Sequence, residues 1–451
     1  MGDLNSTTPR TRAEINNMPN VPFGVAAKIW TLIGFTSFGG AAGQIAMMHR
    51  MLVDDRKWID EPRFLHALNY CTLLPGPEAQ QLATYIGWLM HGVRGGLFAG
   101  LMFVIPGAVV MLALSFLYIY GNHVPLIAGL FFGIKTAVIA IVAHAIARIA
   151  KRAFKGRLYV AIAMIAFALL MFVDAPFPVV VLGAALFGYV GQPLWPRLFG
   201  VSGAQPIVAA PRAGAWGETL KSIIIWTAVW FAPVAVVAML LGPTHILTEI
   251  GVFFSKLAML SFGGAYALLA WLAQEAVTVK GWLSAAEMAD GLGLAETTPG
   301  PTILVTQHVG FLAAWRAPAP FAPPVAAALG AVLTVWATFA PSFLWIFAGA
   351  PHVETLRANV RLAAALQCIT AVVVGVMSYL AAWFALNLLF AKSGWASAGF
   401  LRWPVADLGT IDWAALALSA IAFVLVMKLH WGLVRVVFVM AALGAAVKFV
   451  G

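Results

Sequence analysis

The chain has 451 residues, of which 62% are hydrophobic and 10% charged, and a mean hydropathy of +0.92. Soluble domains carry about 25% charged residues, so these values exclude a soluble globular protein and indicate a polytopic, all-α integral membrane protein. The formal charge of +10, from 27 Lys and Arg against 17 Asp and Glu, does not indicate nucleic acid, because no basic face with interleaved aromatics accompanies it. In a membrane protein such an excess gathers in cytoplasmic loops. Cys71 and Cys368 both fall in apolar runs, which argues against a disulfide framework or a cysteine metal site.

Residues 1–21 are polar, with Pro9, Arg10, Arg12 and Pro19, and no apolar core with a small-residue cleavage site follows directly. They read as a cytoplasmic tail. Apolar runs able to cross about 30 Å of hydrocarbon, roughly 20 residues each, recur near 22–48, 61–91, 97–120, 125–147, 157–173, 176–193, 218–242, 246–271, 284–315, 325–349, 360–390, 412–427 and 430–448. The expectation is about thirteen transmembrane helices.

An internal repeat organises these runs. Ser37-Phe38-Gly39-Gly40-Ala41 recurs as Ser261-Phe262-Gly263-Gly264-Ala265, offset by 224 residues. Pro75-Gly76-Pro77 recurs as Pro299-Gly300-Pro301, and Trp58 as Trp282, at the same offset. Between Ser37 and Pro77, 12 of 41 positions match their counterparts, which marks a duplication. The expected layout is a tail (1–21), a first half (22–193), a linker loop with a connecting helix (194–245) and a second half (246–451). Internal duplication is a signature of secondary transporters, whose sites lie between the repeats. If each broken segment crosses the membrane, an odd number of crossings separates the two Ser-Phe-Gly-Gly runs and the halves are inverted, with the N-terminus inside and the C-terminus outside. That topology puts Arg50, Arg56 and Lys57 outside, against the positive-inside rule. If the first triplet instead re-enters, the halves run parallel. Inversion is the favoured reading, because equivalent loops differ in basic content: 121–124 has no Lys or Arg where its counterpart 350–361 has Arg357 and Arg361, and 148–157 holds Arg148, Lys151, Arg152, Lys155 and Arg157 against Lys392 and Arg402 in a longer counterpart.

A Pro-Gly-Pro triplet removes backbone donors and breaks a helix. In lipid such breaks survive only when buried in protein or lining a polar cavity, and freed helix N-termini favour anions. Glu78 and Gln81 follow the first triplet, and Thr302 follows the second. Glycines beside them allow close backbone approach, although small residues in membrane helices more often serve packing. Ionisable residues within spans are costly and therefore candidates: Glu78, Lys135, Lys256, Glu296 and His308, of which Lys135, deeper in its helix, reads equally as the partner of a carboxylate. Lys256, five residues before Ser261, is the candidate cation for an anion held near Gly263 and Gly264, with snorkelling to the interface as the plain alternative. Glu78 and Glu296 flank the breaks and are candidate proton carriers, Glu78 having helix capping as its plain alternative. His49, His66 and His144 show no metal-ligand spacing and read as interfacial or packed. No Walker loop, dinucleotide fingerprint or nucleophile elbow is present, so neither an enzyme nor a cofactor is expected.

The run from Ser37 through Ala41 with Gln44 and His49, then Leu74-Pro75-Gly76-Pro77-Glu78 with Gln81 and Tyr85-Ile86-Gly87, resembles the chromate ion transporter family in its long, two-domain form. So do Ser261 through Tyr266 and Ala295-Glu296-Thr297-Thr298-Pro299-Gly300-Pro301 in the second half. The resemblance implies a bacterial inner-membrane carrier that exports chromate, confers resistance and uses the proton motive force, with halves in opposed orientation. Thr302 stands where the first half has Glu78, so the halves cannot contribute equivalently. A pocket of N–H groups, the hydroxyls of Ser37, Ser261, Thr298 and Thr302, and one lysine suits chromate or sulfate, both tetrahedral dianions. The remaining alternative is a membrane scaffold or sensor whose breaks shape a dimer interface. Expected partners are the oxyanion, the bilayer and protons, with a homodimer compatible and no nucleic acid.

Overall fold

The computed structural model describes residues 19–121, 123–200, 215–261, 265–350 and 359–450. Most of the N-terminal tail, loop residues 201–214, Phe262, Gly263, Gly264 and Arg357 lie outside the described residues. Helix α1 (Phe23–Thr36) is separated from α2 (Gly40–His49) by Ser37-Phe38-Gly39. Gly39 sits at φ +90° and Gly40 at +67°, a left-handed conformation that glycine alone adopts freely. The chain therefore turns where a single crossing over 22–48 was expected. A π-helical turn (Arg50–Asp54) and α3 (Glu61–Cys71) follow. Asp60 caps α3 by accepting the Arg63 N–H at 2.8 Å, satisfying one orphan donor.

After the first triplet, α4 (Glu78–Gly121) carries a non-helical pair, His91 and Gly92. The chain reverses there, and Gly87 and Gly95 meet so closely that neither has room for a Cβ. Val21 O accepts from His91 Nε2 at 2.7 Å, Phe23 packs edge-on against His91 and Phe98, and Gly34 abuts Met102 and Pro106. Thus α1 starts beside the turn of α4 and ends near the middle of its longer arm. Helices α5 (Pro125–Ala153), α6 (Arg157–Phe172) and α7 (Phe177–Leu194) complete the first half, and the short α8 (Pro196–Phe199) lies in the linker. Helix α9 (Ala215–Leu241) connects the halves.

The second half repeats this design in detail. It comprises α10 (Ile246–Met259), α11 (Ala265–Ala273), a π-helical turn (Gln274–Val279), α12 (Ala285–Thr297), a 3₁₀ turn (Thr302–Leu304), α13 (Val305–Arg316), α14 (Pro323–Gly349), α15 (Val360–Leu389), α16 (Trp413–Phe423) and α17 (Leu433–Val450). The π-helical turns start at the 224-residue offset. Trp58 N–H reaches Leu52 O at 2.8 Å, and Trp282 N–H reaches Ala276 O at 2.7 Å. Arg56 and Lys280 lie over these two tryptophans. At the far end of the molecule Trp315 of α13 meets Tyr120, near the end of α4. The broken helices of the two halves therefore start from opposite ends of α4's longer arm.

Helices α5 and α15 are exchanged between halves: α5 packs on α16 and α17, and α15 packs on α6 and α7. Small residues allow these approaches, Gly133 against Met440 and Gly444, and Gly375 against Ala163, as expected where lipid gives helices no hydrophobic drive to associate. Among the described residues, six helices are long and apolar enough to cross a membrane, with shorter apolar helices beside them. The count of thirteen fails because the breaks cut several expected crossings into helices of 10 to 14 residues, about 15–21 Å long. One departure from all-α is the antiparallel hairpin of β1 (Ser393–Ala398) and β2 (Leu401–Ala406). Arg402 ties it to the rest through Asp174 at 2.5 Å and Leu170 O at 3.2 Å.

Candidate functional site

The four breaks meet in reciprocal pairs. Gly76 donates its N–H to Ser261 O at 2.8 Å, and Gly300 donates to Ser37 O at 2.7 Å. Each is the other's counterpart at the 224-residue offset, so each triplet docks on the serine that opens the Ser-Phe-Gly-Gly run of the opposite half, as in an isologous contact. The triplets also pack on prolines of the long helices: Gly107, after Pro106, touches Pro299 O, and Ser342, after Pro341, lies 3.0 Å from where a Cβ on Gly76 would be. Gly76 and Gly300 hold φ of +130° and +91°. Gln44 Nε2 donates to Gly300 O at 2.5 Å and more weakly to Ser37 O at 3.4 Å, and Gln81 Nε2 donates to Pro75 O at 2.7 Å.

Beyond these bonds the interior is polar. Ser37 and Ser261 are buried, and their hydroxyls have no hydrogen-bond partner among the described residues; neither does the side chain of Gln80. Natively buried polar atoms are nearly always satisfied by protein, water or ligand. A hollow of about 580 Å³ lies beside the two triplets, and Ser37, Ser261 and Gln80 are not part of its lining. Gln44, Pro77, Glu78, Pro301 and Thr302 line it, with Arg148 and Arg152 from α5 and Leu366, Ile369 and Thr370 from α15. Both helix starts that follow the triplets thus face one space, which two guanidinium groups share.

Other predicted residues fall elsewhere. Gly39 and Gly40 form the left-handed turn into α2. Thr298 spends its hydroxyl on Ala295 O at 2.9 Å. Glu296 is buried in α12. Lys256 is exposed on the outer stripe of α10 with Val252 and Met259, so it is not brought to the hollow. Lys135 faces Asp290 at 3.5 Å, and His308 Nδ1 meets the Ser115 hydroxyl at 2.9 Å. Three residues were missed as candidates: Arg148, Arg152 and Asp290. The two arginines read as loop charge, but α5 continues to Ala153. Their spacing of four, which puts both on one helix face, was the available signal.

At the mouth, His49 at the exposed end of α2 binds Glu61 through Nε2 and Asp54 through Nδ1 at 3.3 Å. The hydrogen bond to Glu61 raises its pKa above the ordinary 6.5, against a lowering by burial, with the charge of Asp54 adding to the rise. Among the described residues no group of three His, Cys, Asp or Glu could hold a metal ion.

Residues 26–189 and 248–447 match the family described as Chromate transporter. The chain belongs to the chromate transporter family. It is 32% identical to a chromate transport protein of Pseudomonas aeruginosa over 76% of each chain. It is 26% identical to a chromate transport protein of Cupriavidus metallidurans, over 77% of this chain and 78% of the relative. It is 25% identical to a probable chromate transport protein of Synechococcus elongatus, over 77% and 80%. No solved structure matches this family member. The matched segments contain all four breaks and both arginines of the hollow.

Proposed function

We propose that this protein is a secondary transporter that exports chromate across the bacterial inner membrane and so confers chromate resistance. One observation carries the reading: the helix starts after both triplets, Arg148 and Arg152 line a single hollow. Freed helix N-termini and guanidinium groups both favour an anion, and the volume admits a tetrahedral dianion with part of its water. An inside-negative potential itself drives a dianion outward, by roughly 4.6 kcal/mol per 100 mV for two charges. Glu78, in the hollow, and Glu296, buried before the second triplet, are the groups to which we assign proton exchange. Lys256 has no part in this reading; Arg148 and Arg152 take the role of cation.

For topology we propose that each pair of short helices, α1 with α2 and α3 with the short arm of α4, re-enters from one side. Each half then has four crossings and α9 adds one, nine in all. An odd number separates the halves, which are therefore inverted, N-terminus inside and C-terminus outside. Arg50, Arg56 and Lys57 return to the cytoplasm beside Arg148 and Arg152, which removes the conflict with the positive-inside rule. The hollow then opens to the cytoplasm, where an exporter collects its substrate.

Chromate uptake into inverted membrane vesicles, with and without a proton gradient and excess sulfate, tests the function. Expected is gradient-stimulated uptake, lowered about tenfold or more by Arg148→Ala or Arg152→Ala, since a charge-assisted hydrogen bond contributes about 1.5–3 kcal/mol. Uptake abolished by excess sulfate would reassign the substrate. No uptake by protein present in the membrane would leave a scaffold or sensor.

A further inference from the structure

The duplication supplies two equivalent interfaces, and the molecule has closed only one of them. Helix α12 lies against α5: Gly293 meets Ile134 with no room for a Cβ, and Asp290, 4% exposed, holds Lys135 Nζ at 3.5 Å and the Tyr118 hydroxyl at 2.9 Å. The counterpart interface joins α3 to α15. Asn69 is the equivalent of Gly293 at the 224-residue offset. Thr136-Ala137-Val138 recurs as Thr370-Ala371-Val372, offset by 234, so Ile369 is the equivalent of Lys135. There Leu65, Leu68 and Asn69 of α3 and Leu366, Ile369 and Thr370 of α15 line the hollow. One face is packed shut around an ion pair; its twin is parted and lines the hollow.

Helix α5 borders both. Arg148 lines the hollow at one end, and Lys135, thirteen residues earlier, lies about 20 Å away along the axis. Resting on the transport reading above, we propose that the Lys135–Asp290 pair is the latch of the extracytoplasmic gate: export requires α12 to part from α5 while α3 closes onto α15. Chemistry suits the pair to this task. A dry apolar seam resists water equally at every stage. An ion pair is costly to bury and costly to break in a dry interior, but water entering the parting seam rehydrates both charges. Lys135, freed from Asp290, then presents a cation to the departing anion on the extracytoplasmic side of Arg148 and Arg152.

The test uses full-length protein with a cysteine in place of Ile134, in vesicles whose extracytoplasmic face is outward. A membrane-impermeant maleimide is applied without chromate, and each site is read by mass spectrometry. Ile134→Cys alone labels slowly. Adding Lys135→Met or Asp290→Asn raises the rate about fivefold or more, the range of ordinary coupling between states, and Lys135→Arg keeps it slow. Native Cys368, buried, stays unlabelled if the fold is intact, which separates gate opening from unfolding. Unchanged labelling in both neutral variants overturns the latch, as does equal acceleration by Lys135→Arg. Because chromate is absent, a gate that behaves as described in a protein that moves no chromate would retain the latch and discard the substrate.

Discussion

Gly300 illustrates how much is asked of single residues here. It holds φ of +91°, donates its N–H to Ser37 O at 2.7 Å and offers its carbonyl to Gln44 at 2.5 Å. Phe103 O lies 3.2 Å from where a Cβ would be. A side chain costs about 1–3 kcal/mol in such a conformation and displaces the backbone from its cross-repeat bond. Gly300→Ala is therefore expected to lower chromate uptake roughly tenfold with the protein still in the membrane, and Gly76→Ala to do the same through Gln81 and Ser342. Uptake at the native rate in both would detach the breaks from transport. The glycines were visible in the chain because Pro-Gly-Pro chemistry is local. Nothing local distinguishes Asp290, since its significance lies in Lys135, distant in sequence, whose amine it meets.

At the scale of elements, the hairpin of α2 and α3 is fastened at the hollow's mouth by His49 with Glu61 and Asp54. The imidazole pKa is raised when folded. Its contribution to stability is thus complete below the ordinary value of 6.5 and is lost as pH rises through the higher folded value. Thermal unfolding followed from pH 6 to 9 is expected to show a decline in Tm that His49→Asn lacks; parallel profiles would show that the fastening is idle. The groups are substantially exposed, so the effect is small and is reduced by salt. Local sequence announced some of this, the apolar runs near 61–91 and 284–315 beginning where α3 and α12 begin. It did not announce that the first Ser-Phe-Gly-Gly run turns the chain, because Gly-Gly inside an apolar run reads equally well as helix packing.

For the whole molecule, re-entrant pairs in each half predict that a C-terminal tag is reached by antibody only from outside. A cysteine replacing Lys57, which stands at φ +53° in an exposed turn, labels from the cytoplasm. A tag reached only from the cytoplasm would refute inversion. The sequence by itself determined the membrane class, the duplication, the position of both triplets and the family. Each of these is written in composition or in residues at a fixed offset, and needs no knowledge of the path between them. Only the tertiary structure decided that the breaks of one half dock on those of the other, that Arg148 and Arg152 face Glu78 and Thr302 across a hollow, and that one of two equivalent interfaces is shut. The physical reason is that hydropathy records the length of apolar chain and not its direction. Two short helices that return to the same side present the same run as one that crosses, and which run neighbours which is settled by packing between segments hundreds of residues apart.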